Sequence, residues 1–265
     1  MSHTFTNLAS KVFPSDANKI CAEKIPLMHT VRSADGINRL IDIFKSGRLG
    51  GVDICQRVST NSAQQELGIP ANSAYFYAGR VFPDDFDPPA CFLITGELES
   101  EADSGIGGKP PFVGGGAVPF DSGGLATDKL RLWEFQKTLA QTDKLNYFKD
   151  HSVTLEKWRE YFSLFVEEFF SNPEGYWGSN PAKAIDNVTF EPEDDWRNWS
   201  FEIHSSAPVG FENAEVVFVG ENVLNTLQDE LVNMPQLASL MGKFQVCTFL
   251  QVDALNEAKR LSCNL

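Results

Sequence analysis

The residues of this chain best suited to chemistry are one carboxylate, one strand histidine and a pair of tyrosines. Glu202 stands in the segment WSFEIHSSAPVGFENAEVVFVG, from Trp199 to Gly220, where Phe201 and Ile203 alternate with Glu202 and His204. In a strand with period two, the apolar pair faces a core while the acid and the imidazole share the other face. That puts a carboxylate on a rigid platform, where it can stabilise a positive charge developing in a transition state. The plain alternative is a half-exposed strand acid with no role. His29 and Thr30 close the apolar run KIPLMHTV, and a lone strand histidine otherwise serves as a structural hydrogen-bonding group. Arg57, in CQRVSTNS, suits a pyrophosphate or an acidic partner through charge-assisted hydrogen bonds. Tyr75 and Tyr77, in AYFYAG, point to one face of a strand and can stack on a flat ring or simply pack half-buried.

These side chains need a sheet to hold them. The pattern predicts strands over Lys24–Val31, Val52–Val58, Ala74–Ala78 and Ala90–Thr95, then the Glu202 strand, Val216–Val219 and Lys243–Val252. It predicts a helix over Ser33–Phe44, with Ile37, Leu40, Ile41 and Phe44 at helical spacing and Gly47 as its stop. Gly96–Gly124, rich in Gly, Pro and acid, reads as a long loop. Two amphipathic helices follow, Thr127–Lys149 and Thr154–Phe170, the second with Trp158, Tyr161, Phe162, Phe165 and Phe169 as a core stripe. Further helices are predicted around Asn222–Leu231 and Pro235–Met241.

Composition narrows the function. The 265 residues are 42% hydrophobic and 22% charged, a globular balance, with no run near the roughly 20 apolar residues of a membrane span. The N-terminal stretch has no basic region followed by an apolar one, so a cytoplasmic location and no membrane partner are expected. Five scattered cysteines without a C-x-x-C pair and four histidines without metal-ligand spacing predict neither a disulfide framework nor a metal site. A net charge of −14, clustered at Asp84–Asp87, Glu97–Asp103 and Glu191–Asp195, repels phosphate backbones and favours a protein or small-molecule partner over nucleic acid. The oligomeric state is not legible. Gly107-Gly-Lys-Pro110 lacks the Ser/Thr of a P-loop, and no G-x-S-x-G elbow is present.

Taken together, LMHTVRSADGINRLIDIFKSGRL, the AYFYAG strand and Glu202 resemble the ADP-ribosyltransferase superfamily, in the style of its His-Tyr-Glu branch and of its DNA-targeting bacterial and phage toxins. The resemblance spans about residues 24–95 and 197–252. It implies an α+β fold in which a split, mostly antiparallel β-core binds NAD between its halves. Residues 1–265 would be one domain, with 96–196 as a loop-and-helix insertion. By this resemblance His29 bonds a ribose of NAD, Thr30 lies near the cofactor, Arg57 meets the pyrophosphate and Tyr75 or Tyr77 stacks on nicotinamide. Glu202 would hold the nicotinamide ribose as the C–N bond breaks. The implied activity is ADP-ribosyl transfer from NAD to a macromolecular acceptor, most simply a protein, or NAD hydrolysis. Position 200 is Ser, so the E-x-E or Q-x-E pair of arginine- and asparagine-modifying toxins is missing. The rival expectation is a non-catalytic acidic interaction protein that mimics nucleic acid or binds a basic partner.

Overall fold

The run Leu27-Met-His-Thr-Val31 forms the strand around which the remaining strands are ordered (β1). The computed structural model describes residues 27–31, 36–49, 66–69, 73–78, 90–94, 115–126, 143–169, 201–205, 209–210, 214–219, 225–227, 229–230, 233 and 245–248. In chain order the further elements are α1 (Gly36–Ser46), β2 (Arg48–Leu49), β3 (Ala74–Ala78), β4 (Ala90–Ile94), β5 (Gly115–Val118) and α2 (Ser122–Ala126). Then come α3 (Lys144–Asp150), a 3₁₀ turn (Leu155–Lys157) running into α4 (Trp158–Phe169), β6 (Glu202–Ser205), β7 (Val209–Gly210), β8 (Ala214–Val219) and β9 (Gln245–Thr248). The architecture is α+β, with helices beside a mostly antiparallel sheet.

Seven strands form that sheet in the order β5-β6-β3-β1-β4-β8-β9, and β2 pairs with β7 in a separate two-stranded ribbon. Every pairing in the main sheet is antiparallel except β8 with β9. The ladder is uneven at β1. Five residue pairs join β1 to β4, from Leu27↔Ile94 to Val31↔Ala90, whereas only Leu27↔Ala78 and Met28↔Tyr77 join β1 to β3. The sheet therefore forks beyond Met28 and Tyr77.

Both faces of the β5-β6-β3 part of the sheet are covered. Phe76 on β3, Ile203 on β6 and Ala117 on β5 are directly paired, so they share one face. Phe201 lies on the same side by the two-residue period, and α4 packs there, with the Phe162 ring 5.1 Å and the Tyr161 and Phe165 rings 5.5 Å from Phe201. The aromatic stripe read from the sequence is core at Trp158, Tyr161, Phe162 and Phe165, all buried. On the opposite face, Leu67, Ile69, Val118, Phe120, Leu125, Ala126, Tyr147 and Phe148 make a second apolar cluster, against which Tyr75 packs.

α1 carries the expected stripe, with Leu40, Ile41 and Phe44 buried. It ends where the left-handed Gly47 (φ +69°) turns its N–H back to the Ile43 carbonyl at 3.0 Å. Two expectations change. The stretch read as a loop over 96–124 contains β5 and most of α2, because Gly115-Gly-Ala-Val118 has almost no side chain to signal a strand yet pairs with β6 along its whole length. A single helix over Thr127–Lys149 gives way, in its C-terminal part, to α3 starting at Lys144. Asp143 (φ −155°) leaves the helical region there and caps α3 by accepting from the Asn146 N–H at 3.0 Å. The strand expected over Val52–Val58, the helix over Pro235–Met241 and the three acidic clusters lie outside the described residues. Among the described residues, no helix is long and apolar enough to cross a membrane.

Candidate active site

Glu202 opens β6 directly opposite Tyr77 on β3 and Val118 on β5, and His204 sits opposite Tyr75. Cross-strand partners share a face, so Tyr75, Tyr77, Glu202 and His204 stand on one side of the sheet. The expected partition holds: Phe201 and Ile203 face one core, Glu202 and His204 the other face. That second face is not solvent. Glu202 is 1% exposed, on the face where Leu67, Ile69 and residues of α2 and α3 build the second apolar cluster.

Burial demands partners, and the start of α2 supplies them. The Ser122 N–H donates to Glu202 Oε2 at 3.2 Å. Asp121, the residue before α2, accepts from the Gly124 N–H through Oδ1 at 2.7 Å and from the Tyr77 hydroxyl through Oδ2 at 2.6 Å. Tyr77, Asp121, Ser122 and Glu202 thus form a buried polar cluster. The loop reading of 96–124 missed Asp121 and Ser122. Their sequence signal was an N-cap Asp followed by Ser-Gly-Gly and an apolar Leu125.

His204 lies deeper on the same face, its ring 6.0 Å from Phe148 and 6.3 Å from Tyr75. Desolvation lowers its pKa to about 4, so it is neutral at physiological pH. His151 stacks on Tyr147 at 4.1 Å and bonds the Tyr147 carbonyl through Nδ1 at 2.6 Å; burial lowers its pKa too, against that hydrogen bond and Asp150, which raise it.

His29 is placed differently. It follows Met28, which pairs with Tyr77, so alternation puts it on the face opposite Tyr77 and Glu202, with its ring 5.7 Å from Phe76. At the fork, where the β1–β3 ladder has ended, its Nδ1 meets the Tyr75 carbonyl at 2.7 Å. The bond makes Nδ1 the protonated nitrogen in the neutral ring. Burial lowers the His29 pKa to about 4, the Tyr75 hydrogen bond opposes this and the positive charge of Arg39 adds to it.

The structure brings Tyr75, Tyr77 and Glu202 onto one face and ties His29 to the backbone of Tyr75 from the other. One pocket lined by the side chains of all four, as the resemblance implies, is not what this arrangement presents: the two-residue period separates His29 from the rest. Thr30 lies opposite Cys91 in the register, its side chain outside the described residues, and Arg57 lies outside them altogether. Among the described residues, no three or more His, Cys, Asp or Glu side chains gather as metal ligands do. No family model matches the chain, and no curated protein or solved structure does.

Proposed function

We propose that the chain consumes NAD, transferring ADP-ribose to a macromolecular acceptor, most simply a protein, or hydrolysing the dinucleotide, on a split β-core of the ADP-ribosyltransferase type. The observation that carries the reading is the fork between β1 and β3, bridged by His29 and the Tyr75 carbonyl. The fork is where the two halves of a split β-core would part to admit an elongated ligand, with His29 on one strand and the tyrosines on the other. Glu202, one strand further on, supplies the negative charge that a ribosyl cation needs as the C–N bond to nicotinamide breaks. A ligand reaching both His29 and Glu202 has to pass through the fork rather than lie on either face.

A second reading is favoured by the burial of Glu202 and its bond to the Ser122 amide: the carboxylate is a structural brace, and the chain is an acidic interaction protein that binds a basic partner or mimics nucleic acid. Glu202→Gln separates the two. Incubation of the full chain with NAD, without added metal, is expected to release nicotinamide, and the variant is expected to lose about 10²–10³ in rate while keeping its circular dichroism spectrum. Undiminished release by a folded Glu202→Gln protein rules Glu202 out as a catalytic group. Absence of both nicotinamide release and an NAD-dependent thermal shift in the wild type sinks the NAD reading and leaves the interaction protein.

A further inference from the structure

The segment joining β5 to α2 spends its polar groups in a particular way. Asp121 directs its two oxygens to two elements: Oδ1 takes the Gly124 N–H within its own turn, and Oδ2 takes the Tyr77 hydroxyl on β3. The next peptide gives its N–H to Glu202 on β6. Since Tyr77 and Glu202 are themselves directly paired across the sheet, the segment closes a ring: Tyr77, Asp121, Ser122, Glu202 and back to Tyr77. Each of the four residues is at least nine-tenths buried. Two carboxylates held out of water are an expensive brace, since apolar side chains of similar volume fill such a space without the desolvation penalty.

We propose that Asp121 is a positioning residue of the NAD site, holding the Tyr77 hydroxyl directly and setting Glu202 through the Ser122 amide, so that the β5–α2 segment belongs to the active centre. The inference rests on the NAD reading given above. Asp121 touches no reacting atom in this scheme. Its role is to keep Tyr77 from rotating away and to hold Glu202 in one rotamer.

Asp121→Asn is the informative variant, because Asn caps a helix about as well as Asp and keeps its shape, while the charge that grips Tyr77 is lost. Nicotinamide release by the full chain is expected to show kcat lowered by about ten- to a hundredfold with KM within about twofold. Tyr77→Phe is expected to show a similar loss, and the double variant little more than the larger single one, since one variant weakens and the other deletes the same contact. An unchanged kcat in a folded Asp121→Asn protein, or losses that multiply in the double variant, overturns the proposal. If the wild type releases no nicotinamide, the NAD reading has failed by itself, and amide hydrogen exchange then decides the linkage. Tyr77→Phe should speed exchange at Ser122 and Gly124 about tenfold if Tyr77 steadies the turn. Unaltered exchange at both amides overturns the linkage whatever the activity.

Discussion

The two faces of the central sheet are made by alternate residues of the same strands, yet they are held by different physics. Phe201 meets Tyr161, Phe162 and Phe165 of α4 ring on ring, on the face it shares with the buried Phe76 and Ile203. One residue along, Tyr77, Glu202 and His204 are just as buried but need hydrogen bonds and a neutral imidazole to stay there. An aromatic core draws on area and shape, and it loses stability roughly with the volume removed. A buried polar core contributes little net free energy and is costly to leave half-satisfied. Stability therefore belongs mainly to the α4 face, and specificity of geometry to the α2–α3 face.

The largest expected effect tests the first half of that contrast. Phe201→Ala removes the ring on which three aromatic side chains of α4 converge, and should cost about 3–5 kcal/mol in chemical denaturation, the range for buried Phe→Ala. A cost under about 1 kcal/mol would mean that α4 closes over the gap and that the faces do not differ as argued.

Acid should strike both faces through histidines that are buried neutral. The folded pKa of His29 and of His204 is lowered from 6.5 to about 4, so between those values the unfolded state binds the protons. Stability is then full above pH 6.5 and falls as pH drops through the window, by on the order of 3 kcal/mol for each group before levelling near pH 4. His151 shifts the same way and adds to the trend. Denaturation midpoints measured from pH 7 to pH 4 check this, and His204→Leu should flatten the slope. A profile indifferent to His204 would show that the imidazole reaches water on this face.

The contrast also explains what the sequence could and could not convey. β6, α1 and α4 were legible because their apolar residues repeat at the period of their element, β1 and β3 because they are short apolar or aromatic runs, and for α1 and α4 the stripe is the buried face. The alternation around Glu202 placed the acid on the right side of its strand. It said nothing about what lies on that side, which comes from Leu67, Ile69, residues 118–126 and Tyr147 and Phe148, distant in the chain. The Glu202 carboxylate therefore read as half exposed. β5 escaped for a related reason. Gly115 holds φ +103°, and a Cβ there would lie 2.5 Å from the His204 carbonyl oxygen, so close strand approach selected glycine where a β-branched residue would have announced a strand. The face of His29 follows from counting residues, but where β1 parts from β3 does not, since the fork depends on pairing rather than composition.

A smaller effect is expected at the junction of sheet and turn. Tyr77→Phe deletes one hydroxyl and leaves Asp121 with its Gly124 partner, so the loss is that of one hydrogen bond to a charged group, about 1.5–3 kcal/mol. Thermal denaturation of the two proteins checks it. No change would place water or another donor on Asp121 Oδ2 and weaken the case that this face is sealed.

The smallest effect sharpens the comparison from the outside. α3 lays Tyr147 and Phe148 over the polar face but is only seven residues long, too short to persist by itself. Its start depends on Asp143, whose side chain accepts the Asn146 N–H while exposed to solvent. Asp143→Ala should cost about 1 kcal/mol, the usual worth of an N-cap, and should do so without touching the aromatic core. Hydrogen exchange distinguishes the faces directly: amides of α3 and of Tyr77 on β3 should exchange faster in the variant, while those of Tyr161 to Phe165 in α4 keep their protection. Equal loosening of α4 would mean that the two faces unfold as one cooperative unit, with no separately adjustable polar side.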